Sequence, residues 1–533
     1  MVSRYLIPTF GGNIMQREKI KVTYSTLASP NPLLDQYFDE SVAQAKANFG
    51  QTFPMYINGE ERTAAKTFSK ISPTNLDMVM AHFQSGTEQD ANDAVAAAKA
   101  AFPGWRNTPW QERVALLRQA ADLISDRLFE IGAIMAMEVG KNRLEALGDV
   151  EETADLIRYY CDQMEEHNGF SVPMKQESPR HHNRSILKPY GVWAVISPFN
   201  FPFALAGGPS GGALVTGNTV VFKPATDTAY TGWLLTECFR DAGIPAGVFN
   251  FVTGGGRTVG KTIVEHPDIA GITFTGSYDV GMGIYRSFAA GKYPRPCIAE
   301  MGGKNPAIIS NKADLDKAAI GVMRSAFGLQ GQKCSACSRV FVHKDVKDAF
   351  VAKLLDLTRK INVGDPTIKS NWMGPVINKS SFEDFQRFAA DLAAHGHVLY
   401  GGKVLDMNGY YVTPTIVDNL PYDHPLWKEE MFLPIVTIGE FENLDDAMAM
   451  ANDVDYGLTA GFYSEDDDEI QWFLDNIEAG VLYVNRETGA TTGAWPGYQP
   501  FGGWKGSGST GKAGGSLYYV QQYMHEQSQT IVD

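Results

Sequence analysis

Short apolar segments that alternate with helical segments constrain the fold of this chain most strongly. Between residues 191 and 310 the apolar segments are GVWAVIS, NTVVFK, VFNFV, GITFT and PCIAE. Strands that are buried on both faces read as continuous apolar runs, and their alternation with helices is typical of a parallel sheet. A second alternating block covers about 303–505, with RVFVH, a helix at 346–361 and VLYVN. The sequence therefore predicts an α/β fold with two α/β domains and a cleft between them.

The remaining segments suggest how these domains are bounded. Residues 1–50 form a polar leader with one helical stretch at about 33–48. YINGEER at 56–62 carries an Asn-Gly turn and predicts a hairpin, and Thr87 with Asp90 predicts a capping box at the start of a helix. The stretch 171–189 is polar and contains prolines, so we expect a hairpin that projects from the core.

Charge and cysteine usage exclude several classes of partner. The chain has 533 residues and a formal net charge of −15, which argues against binding to nucleic acid or to an anionic membrane. Its five cysteines are scattered and odd in number, so we expect a reducing compartment and no disulfide framework. The N-terminus lacks the pattern of a signal peptide, and the most apolar segment, about 191–208, is interrupted by prolines. We expect a cytoplasmic protein.

Three strings carry residues that suit covalent catalysis on a carbonyl. GQKCSACSR at 331–339 contains Cys334, and EMGGKNP at 300–306 begins with Glu300. A thiolate can attack a carbonyl and form a thioester, and a nearby carboxylate can activate the water that hydrolyses it. SPFNFPF at 197–203 follows an apolar strand and contains Asn200, a candidate donor to an oxyanion.

Cys334 and Cys337 also form a C-x-x-C pair, which is found in redox and zinc sites. Zinc needs two further ligands at suitable spacing, and the sequence has no paired Cys or His cluster that would supply them. His343 is the nearest imidazole and lies on a predicted strand. We predict no metal site.

The ordered set of motifs resembles the aldehyde dehydrogenase family. The strings are SPFNFPF, FKPATDT, FTGS, EMGGK, GQKC, KEEMF and PFGGWKGSG, and the resemblance runs from about residue 50 to the C-terminus. It implies a Rossmann-like cofactor domain over 51–170 and 190–302 and a catalytic domain over 303–516. It also implies that the hairpin 171–189, together with a terminal strand in 517–533, pairs subunits in a dimer-based homo-oligomer.

The same resemblance implies a reaction and a cofactor. A small aldehyde would be attacked by Cys334, with Asn200 and the Cys334 N–H as oxyanion donors, and Glu300 would activate the hydrolytic water. NAD or NADP would accept the hydride. A CoA-acylating enzyme would not need Glu300 for water activation. A catalytically silent binding or structural protein on the same scaffold remains an alternative, as does a semialdehyde or broad-specificity aldehyde dehydrogenase.

Candidate cofactor residues come from the glycine-rich segments and from the resemblance. A strict G-x-G-x-x-G fingerprint is absent, although GGGRTVG at 254–260 supplies Gly256. GSYDVG follows the strand GITFT, so Ser277 is expected to open a helix whose N-terminus suits a pyrophosphate. Thr226 stands where many NAD-preferring members have a glutamate, so we expect NADP to be accepted beside NAD. The full predicted set is Phe199, Lys223, Thr226, Gly256, Gly276, Ser277, Glu430 and Phe432.

One loop narrows the expected substrate. TGAWPGYQPFGG at 492–503 resembles the anchor loop of 1-pyrroline-5-carboxylate dehydrogenases, in which backbone N–H groups bind the α-carboxylate of glutamate γ-semialdehyde. The matching residues are Gly493 and Ala494, and Ser335 is the hydroxyl expected to assist them. Thr-Gly-Ala occurs twice, at 488–490 and 492–494, and Trp495 and Pro496 replace the aliphatic residues expected after the anchor.

Overall fold

The computed structural model describes residues 31–533, residues 20 and 22, and the paired strands Arg4–Pro8 and Ile14–Glu18. The rest of the predicted leader lies outside the described residues. The predicted helix at about 33–48 is present as Pro32–Ala47, and Asn31 caps its N-terminus by accepting the N–H groups of Leu33 and Leu34.

The first predicted block forms a seven-stranded sheet. Its five apolar segments are neighbouring parallel strands, and the predicted hairpin at 56–62 adds two antiparallel strands at one edge. Every residue of the central strand Thr219–Lys223 is buried, as expected for a strand covered on both faces. In spatial order the strands are Cys297–Glu300, Ile269–Thr275, Val192–Ile196, Thr219–Lys223, Phe249–Phe251, Met55–Ile57 and Glu60–Arg62.

The second block forms another seven-stranded sheet, which is parallel except for one edge strand. Together the two sheets confirm the predicted α/β class. The domain boundary near residue 302 stays our proposal. It is supported by the positions of the strands, since the last strand of the first sheet ends at Glu300 and the first strand of the second sheet begins at Asn305. The strands of the second sheet, in spatial order, are His397–Tyr400, Thr415–Asp418, Ile435–Phe441, Cys337–His343, Asn305–Ile309, Thr459–Tyr463 and Val481–Val484.

Helices pack around these sheets. Thr87 and Asp90 form the predicted capping box at the start of Glu88–Asn107, and the helix expected at 346–361 spans Lys347–Thr358. The other α-helices of the described residues are Trp110–Asp126, Leu128–Val139, Arg143–Glu166, Ala204–Val215, Ala229–Asp241, Lys261–Glu265, Tyr278–Ala289, Leu315–Phe327, Lys379–His395, Leu444–Asn452 and Asp467–Asn476. Among the described residues, no helix has the length and apolar character needed to cross a bilayer.

Besides the paired strands Arg4–Pro8 and Ile14–Glu18, the described residues form three smaller sheets. Gln51–Phe53, Val79–Gln84 and Thr67–Ile71 form one, and the short strands Tyr456–Gly457 and Trp504–Lys505 form another. The third contains the predicted hairpin and terminal strand: Ser171–Pro173 and Met524–Val532 both pair with His181–Pro189.

The terminal strand pairs within its own chain. Met524–Val532 is antiparallel to His181–Pro189 over all nine residues. Tyr523, just before this strand, is fully buried against Trp193 of the first sheet, with ring centroids 4.6 Å apart. The sheet is therefore anchored to the core at one end, and its continuation across a subunit interface stays a prediction.

Candidate active site

The predicted nucleophile and base lie at the ends of two different sheets. Glu300 ends a strand of the first sheet, and Cys334 precedes the strand Cys337–His343 of the second. Burial raises the pKa of the half-buried Cys334 thiol, and the carboxylates of Glu300 and Glu430 raise it further. The N–H groups of Ser335 and of Cys334 itself act in the opposite direction. The structure thus brings Cys334 and Glu300 within electrostatic reach of each other.

The Gly-Gly turn after Glu300 accommodates the second carboxylate. The Gly303 N–H donates to Glu430 Oε1 at 2.8 Å, and a Cβ on Gly302 would collide with the same carboxylate. Burial raises the pKa values of both Glu300 and Glu430 to about 7. The EMGGK string therefore positions two carboxyl groups that can change protonation state near neutral pH.

Side chains hold three consecutive carbonyl groups of the nucleophile loop. Asn305 Nδ2 donates to the carbonyl oxygens of Cys334, at 2.7 Å, and Ala336, at 2.9 Å. Thr491 Oγ1 donates to the carbonyl oxygen of Ser335 at 2.6 Å. These bonds fix the peptide planes around Cys334. Asn305 and Thr491 were not among the residues predicted from the sequence, because their partners are distant along the chain and no local pattern marks them.

The segment before Cys334 has an uncommon backbone. Leu329, Gln330 and Gly331 are consecutive residues in the left-handed region, with φ values of 48°, 57° and 68°. Only glycine adopts this conformation without a steric cost. The Gln330 amide holds the turn, since it donates to the carbonyl oxygens of Gly140 and Pro375. This buried network sets the approach of the chain to Cys334.

A buried ion pair supports the loop that carries Asn200. Asn200 is 4% exposed. Asp149 Oδ1 accepts the Ala204 N–H at 2.8 Å, where the helix after the loop begins, and Asp149 pairs with Lys141 at 2.8 Å. The Lys141 ammonium also lies 3.8 Å from the ring centre of Phe201. Because both charged groups are fully buried, we infer that the pair fixes the Asn200 loop.

A further carboxyl group with a raised pKa, Glu152, was not predicted from the sequence. Burial raises the pKa of Glu152 to about 8, and the neighbouring Asp149 carboxylate raises it as well. Glu152 and Cys334 both act electrostatically on Tyr483. A negative charge spread over this cluster favours the protonated form of Glu152 at neutral pH.

The residues predicted to bind the phosphate and ribose groups lie at the carboxyl ends of parallel strands in the first sheet. Burial lowers the pKa of Lys223 to about 8, and its ammonium donates only to the Pro224 carbonyl at 3.0 Å among the bonds of the described residues. Ser277 precedes the helix Tyr278–Ala289, and its side chain makes no capping hydrogen bond. Gly276 lies beside it, and its N–H donates to the Glu300 carbonyl.

Three other predicted cofactor residues, Phe199, Thr226 and Gly256, also follow the carboxyl ends of strands in this sheet. Phe199 and Phe432 meet edge to face with centroids 5.8 Å apart, which joins the Asn200 loop to the segment of Glu430. Gly256 faces open space, and Thr226 is exposed. The buried Lys223 ammonium, a helix N-terminus and the half-buried Glu430 carboxylate match the donors and acceptors of a dinucleotide, so these residues fit NAD or NADP.

The two Thr-Gly-Ala strings have different environments. In the first, Gly489 and Ala490 are buried, and the Ala490 N–H donates to the Gly321 carbonyl. In the second, Gly493 and Ala494 are half-buried, and Gly493 has a φ of 128°. The second string is therefore the more accessible of the two, and the role of Gly493 and Ala494 as a carboxylate site stays a prediction.

One group of potential metal ligands occurs in the described residues, away from the predicted site residues. The side chains of Asp391, His395 and His424 have ligand atoms within 4.8 Å of one another. His395 Nδ1 lies 2.9 Å from Asp391, and His424 Nδ1 accepts the Leu426 N–H. Acceptance at Nδ1 places the proton of neutral His424 on Nε2, the nitrogen that faces Asp391. The Nδ1 atoms of both histidines thus have hydrogen-bond partners within the protein, and His424 Nε2 lies 3.7 Å from Asp391.

Residues 60–529 match the family described as the aldehyde dehydrogenase family. A 1-pyrroline-5-carboxylate dehydrogenase of Staphylococcus epidermidis is 38% identical over 487 residues, which cover 91% of this chain and 94% of the relative. The crystal structure of a 1-pyrroline-5-carboxylate dehydrogenase from Thermus with bound NAD has a TM-score of 0.90 and 34% identity, covering 93% of this chain and 96% of that one.

A proline utilization A chain from Bdellovibrio bacteriovorus is also similar. Its TM-score is 0.90 and its identity 37% over 93% of this chain, but the match covers 51% of that chain. This chain therefore spans about half the length of that protein. Its similarity to the Staphylococcus and Thermus proteins extends over nearly their whole length.

Proposed function

The chain belongs to the aldehyde dehydrogenase family, and from this premise we propose that it oxidises glutamate γ-semialdehyde to glutamate with NAD or NADP. Glutamate γ-semialdehyde is the open-chain form of 1-pyrroline-5-carboxylate. The observation that carries the substrate assignment is the half-buried Gly493–Ala494 backbone, which the Thr491 bond ties to the Cys334 loop.

The first half of the proposed reaction takes place at Cys334. The thiol loses its proton to solvent as substrate and cofactor bind, which gives the thiolate. The sulfur then attacks the aldehyde carbon, and the Asn200 amide with the Cys334 N–H stabilises the oxyanion. Removing one such donor typically costs about 10²–10³ in rate. Bound NAD or NADP supplies the acceptor for the hydride, and a thioester on Cys334 remains.

The second half is hydrolysis of that thioester. Glu300 takes a proton from water, the hydroxide adds to the thioester carbon, and the C–S bond breaks. Glu300 then gives its proton to the departing sulfur, which restores the thiol, and the carboxylic acid product loses its own proton to solvent. The need for this base supports hydrolysis over transfer to CoA. The raised pKa of Glu300 suits a group that alternates between acid and base.

The carboxylate subsite distinguishes the proposed substrate from other aldehydes. Backbone N–H groups at a glycine with positive φ can bind a carboxylate without a charged side chain. The Ser335 hydroxyl, next to the nucleophile, would add a third donor. A broad-specificity aldehyde dehydrogenase would need no such subsite.

Kinetics with two aldehydes test this assignment. We expect kcat/KM for glutamate γ-semialdehyde to exceed that for pentanal by well over tenfold, a ratio worth about 1.4 kcal/mol. A ratio below tenfold would remove the carboxylate subsite while leaving the aldehyde dehydrogenase activity intact.

We also propose that the chain forms a homo-oligomer built from dimers, in a cytoplasmic setting. The support is the three-stranded sheet of Ser171–Pro173, His181–Pro189 and Met524–Val532. Val172 and Ile531 in this sheet are more than half exposed, so these apolar side chains are available for burial against a second subunit.

A further inference from the structure

The nucleophile loop and the second Thr-Gly-Ala string are linked by one side chain. Thr491 is fully buried, and its hydroxyl donates to the Ser335 carbonyl at 2.6 Å. Ser335 follows Cys334, whereas Gly493 lies two residues after Thr491. This hydrogen bond therefore connects the segment that precedes the predicted carboxylate donors directly to the residue that follows the predicted nucleophile.

The loop on the far side of Thr491 is also fixed. The Thr491 N–H donates to Ser325 Oγ at 3.1 Å, and Ser325 Oγ lies 3.2 Å from Thr492 Oγ1. The Gly493 carbonyl accepts from Arg486 Nη2 at 3.3 Å. Thr491 thus stands between a helix that anchors the loop and the loop that carries the nucleophile.

We propose that Thr491 is a positioning residue that sets the distance between the carboxylate subsite and the Cys334 sulfur. This inference rests on the proposed function, since it assumes that the substrate carboxylate binds at Gly493–Ala494. A substrate with an aldehyde at one end and a carboxylate at the other spans both loops. Its reactive geometry depends on their separation, because small misplacements lower the rate steeply.

An aldehyde without a carboxylate depends on this distance less. It contacts the nucleophile loop alone, and Asn305 still holds the carbonyl groups of Cys334 and Ala336 when the Thr491 bond is absent. Loss of the Thr491 hydroxyl should therefore lower activity selectively for substrates that carry the carboxylate.

The test compares Thr491→Val with Thr491→Ser in the full-length protein. Valine has the shape of threonine but leaves the Ser335 carbonyl without its donor, whereas serine retains the hydroxyl. We expect Thr491→Val to lower kcat/KM for glutamate γ-semialdehyde about tenfold or more and that for pentanal by less than about threefold, from the loss of one buried hydrogen bond. Thr491→Ser should restore most of the activity.

Thr488→Val is a matched control, because Thr488 is exposed in the first Thr-Gly-Ala string and should leave both substrates unaffected. An equal loss for both aldehydes with Thr491→Val, or no loss for either, would overturn the proposal. If the unmodified protein itself does not prefer glutamate γ-semialdehyde over pentanal, the proposed function fails first. If that preference exists and survives Thr491→Val, only the positioning role fails.

Discussion

Glu300 is divided between its two protonation states at neutral pH, because burial raises its pKa to about 7. Hydrolysis of the thioester needs the carboxylate form. We predict that the steady-state rate rises with pH through about 7 and levels off above it, since deprotonation supplies the base. The measurement is kcat against pH with saturating substrate and cofactor.

Glu300→Gln provides the control for this profile. The amide cannot take a proton from water, so kcat should fall by about 10²-fold or more, which is typical for loss of a general base. The residual activity should lose the rise near pH 7. A variant that keeps both the rate and the rise would assign the titration to another group.

Thr226 leads to a prediction about cofactor choice. It is exposed in the turn Thr226–Thr228, close along the chain to the buried Lys223. Thr226→Glu would place a carboxylate where we expect the 2′-phosphate of NADP, and the two negative charges would repel each other. We predict that the ratio of kcat/KM for NADP to that for NAD falls about tenfold or more. Thr226→Gln, of the same size without charge, should change the ratio much less.

The candidate catalytic residues could be predicted from the sequence, whereas the residues that position their loops could not. Cys334, Glu300 and Asn200 stand in short strings whose residue types suit one reaction. Asn305 and Thr491 hold the nucleophile loop through contacts to backbone atoms, and any residue can supply a backbone carbonyl. No residue pattern therefore signals these contacts before the fold is known.

At the scale of elements, the Asn200 loop depends on the charge pair of Lys141 and Asp149, which lies about fifty residues before it in the sequence. Burial lowers the pKa of Lys141 and raises that of Asp149, and each partner opposes the effect on the other. Removing one partner leaves a buried charge uncompensated. We predict that Lys141→Met destabilises the protein by about 3–5 kcal/mol. The measurement is the free energy of unfolding by denaturant.

The double variant Lys141→Met with Asp149→Leu separates charge from packing. Replacing both partners by apolar groups removes the uncompensated charge, so stability should recover toward the unmodified protein. Activity should not recover to the same degree, because the Ala204 N–H loses the Asp149 acceptor that helps to hold the Asn200 loop. Equal stability of the single variant and the unmodified protein would contradict the supporting role of the pair.

At the scale of the whole molecule, the alternation of apolar and helical segments predicted the two sheets well. The sequence pattern did not predict the spatial order of the strands in either sheet. The hairpin strands Met55–Ile57 and Glu60–Arg62 join the edge of a sheet whose other strands begin more than a hundred residues later. The periodicity of the hairpin does not specify that neighbour. Similarly, the sequence contained two Thr-Gly-Ala strings, and only the fold buries the first and leaves the second accessible.

The three-stranded sheet that contains the terminal strand Met524–Val532 leads to a prediction about assembly. Ile531 and Val532 near the end of Met524–Val532 are more than half exposed, and burial of such side chains is worth roughly 1.5–3 kcal/mol each. We predict that the unmodified protein is not a monomer at micromolar concentration and that Ile531→Glu with Val532→Glu lowers its mass in solution. Multi-angle light scattering checks this. The control is Lys512→Glu, which changes an exposed charge outside the sheet and should leave the mass in solution unchanged. A monomeric unmodified protein would refute the prediction.

The thioester on Cys334 is the centre of this account, and Glu300→Gln should make it observable. Without the base that activates water, the acyl group accumulates when the variant is mixed with glutamate γ-semialdehyde and NAD. Intact-mass spectrometry followed by peptide mapping should find a glutamyl group attached to Cys334, with formation of about one NADH per subunit. The same measurement should find no glutamyl adduct in the double variant that carries Glu300→Gln and Cys334→Ala. NADH formation without an adduct on Cys334, or an adduct on another residue, would contradict the proposed mechanism.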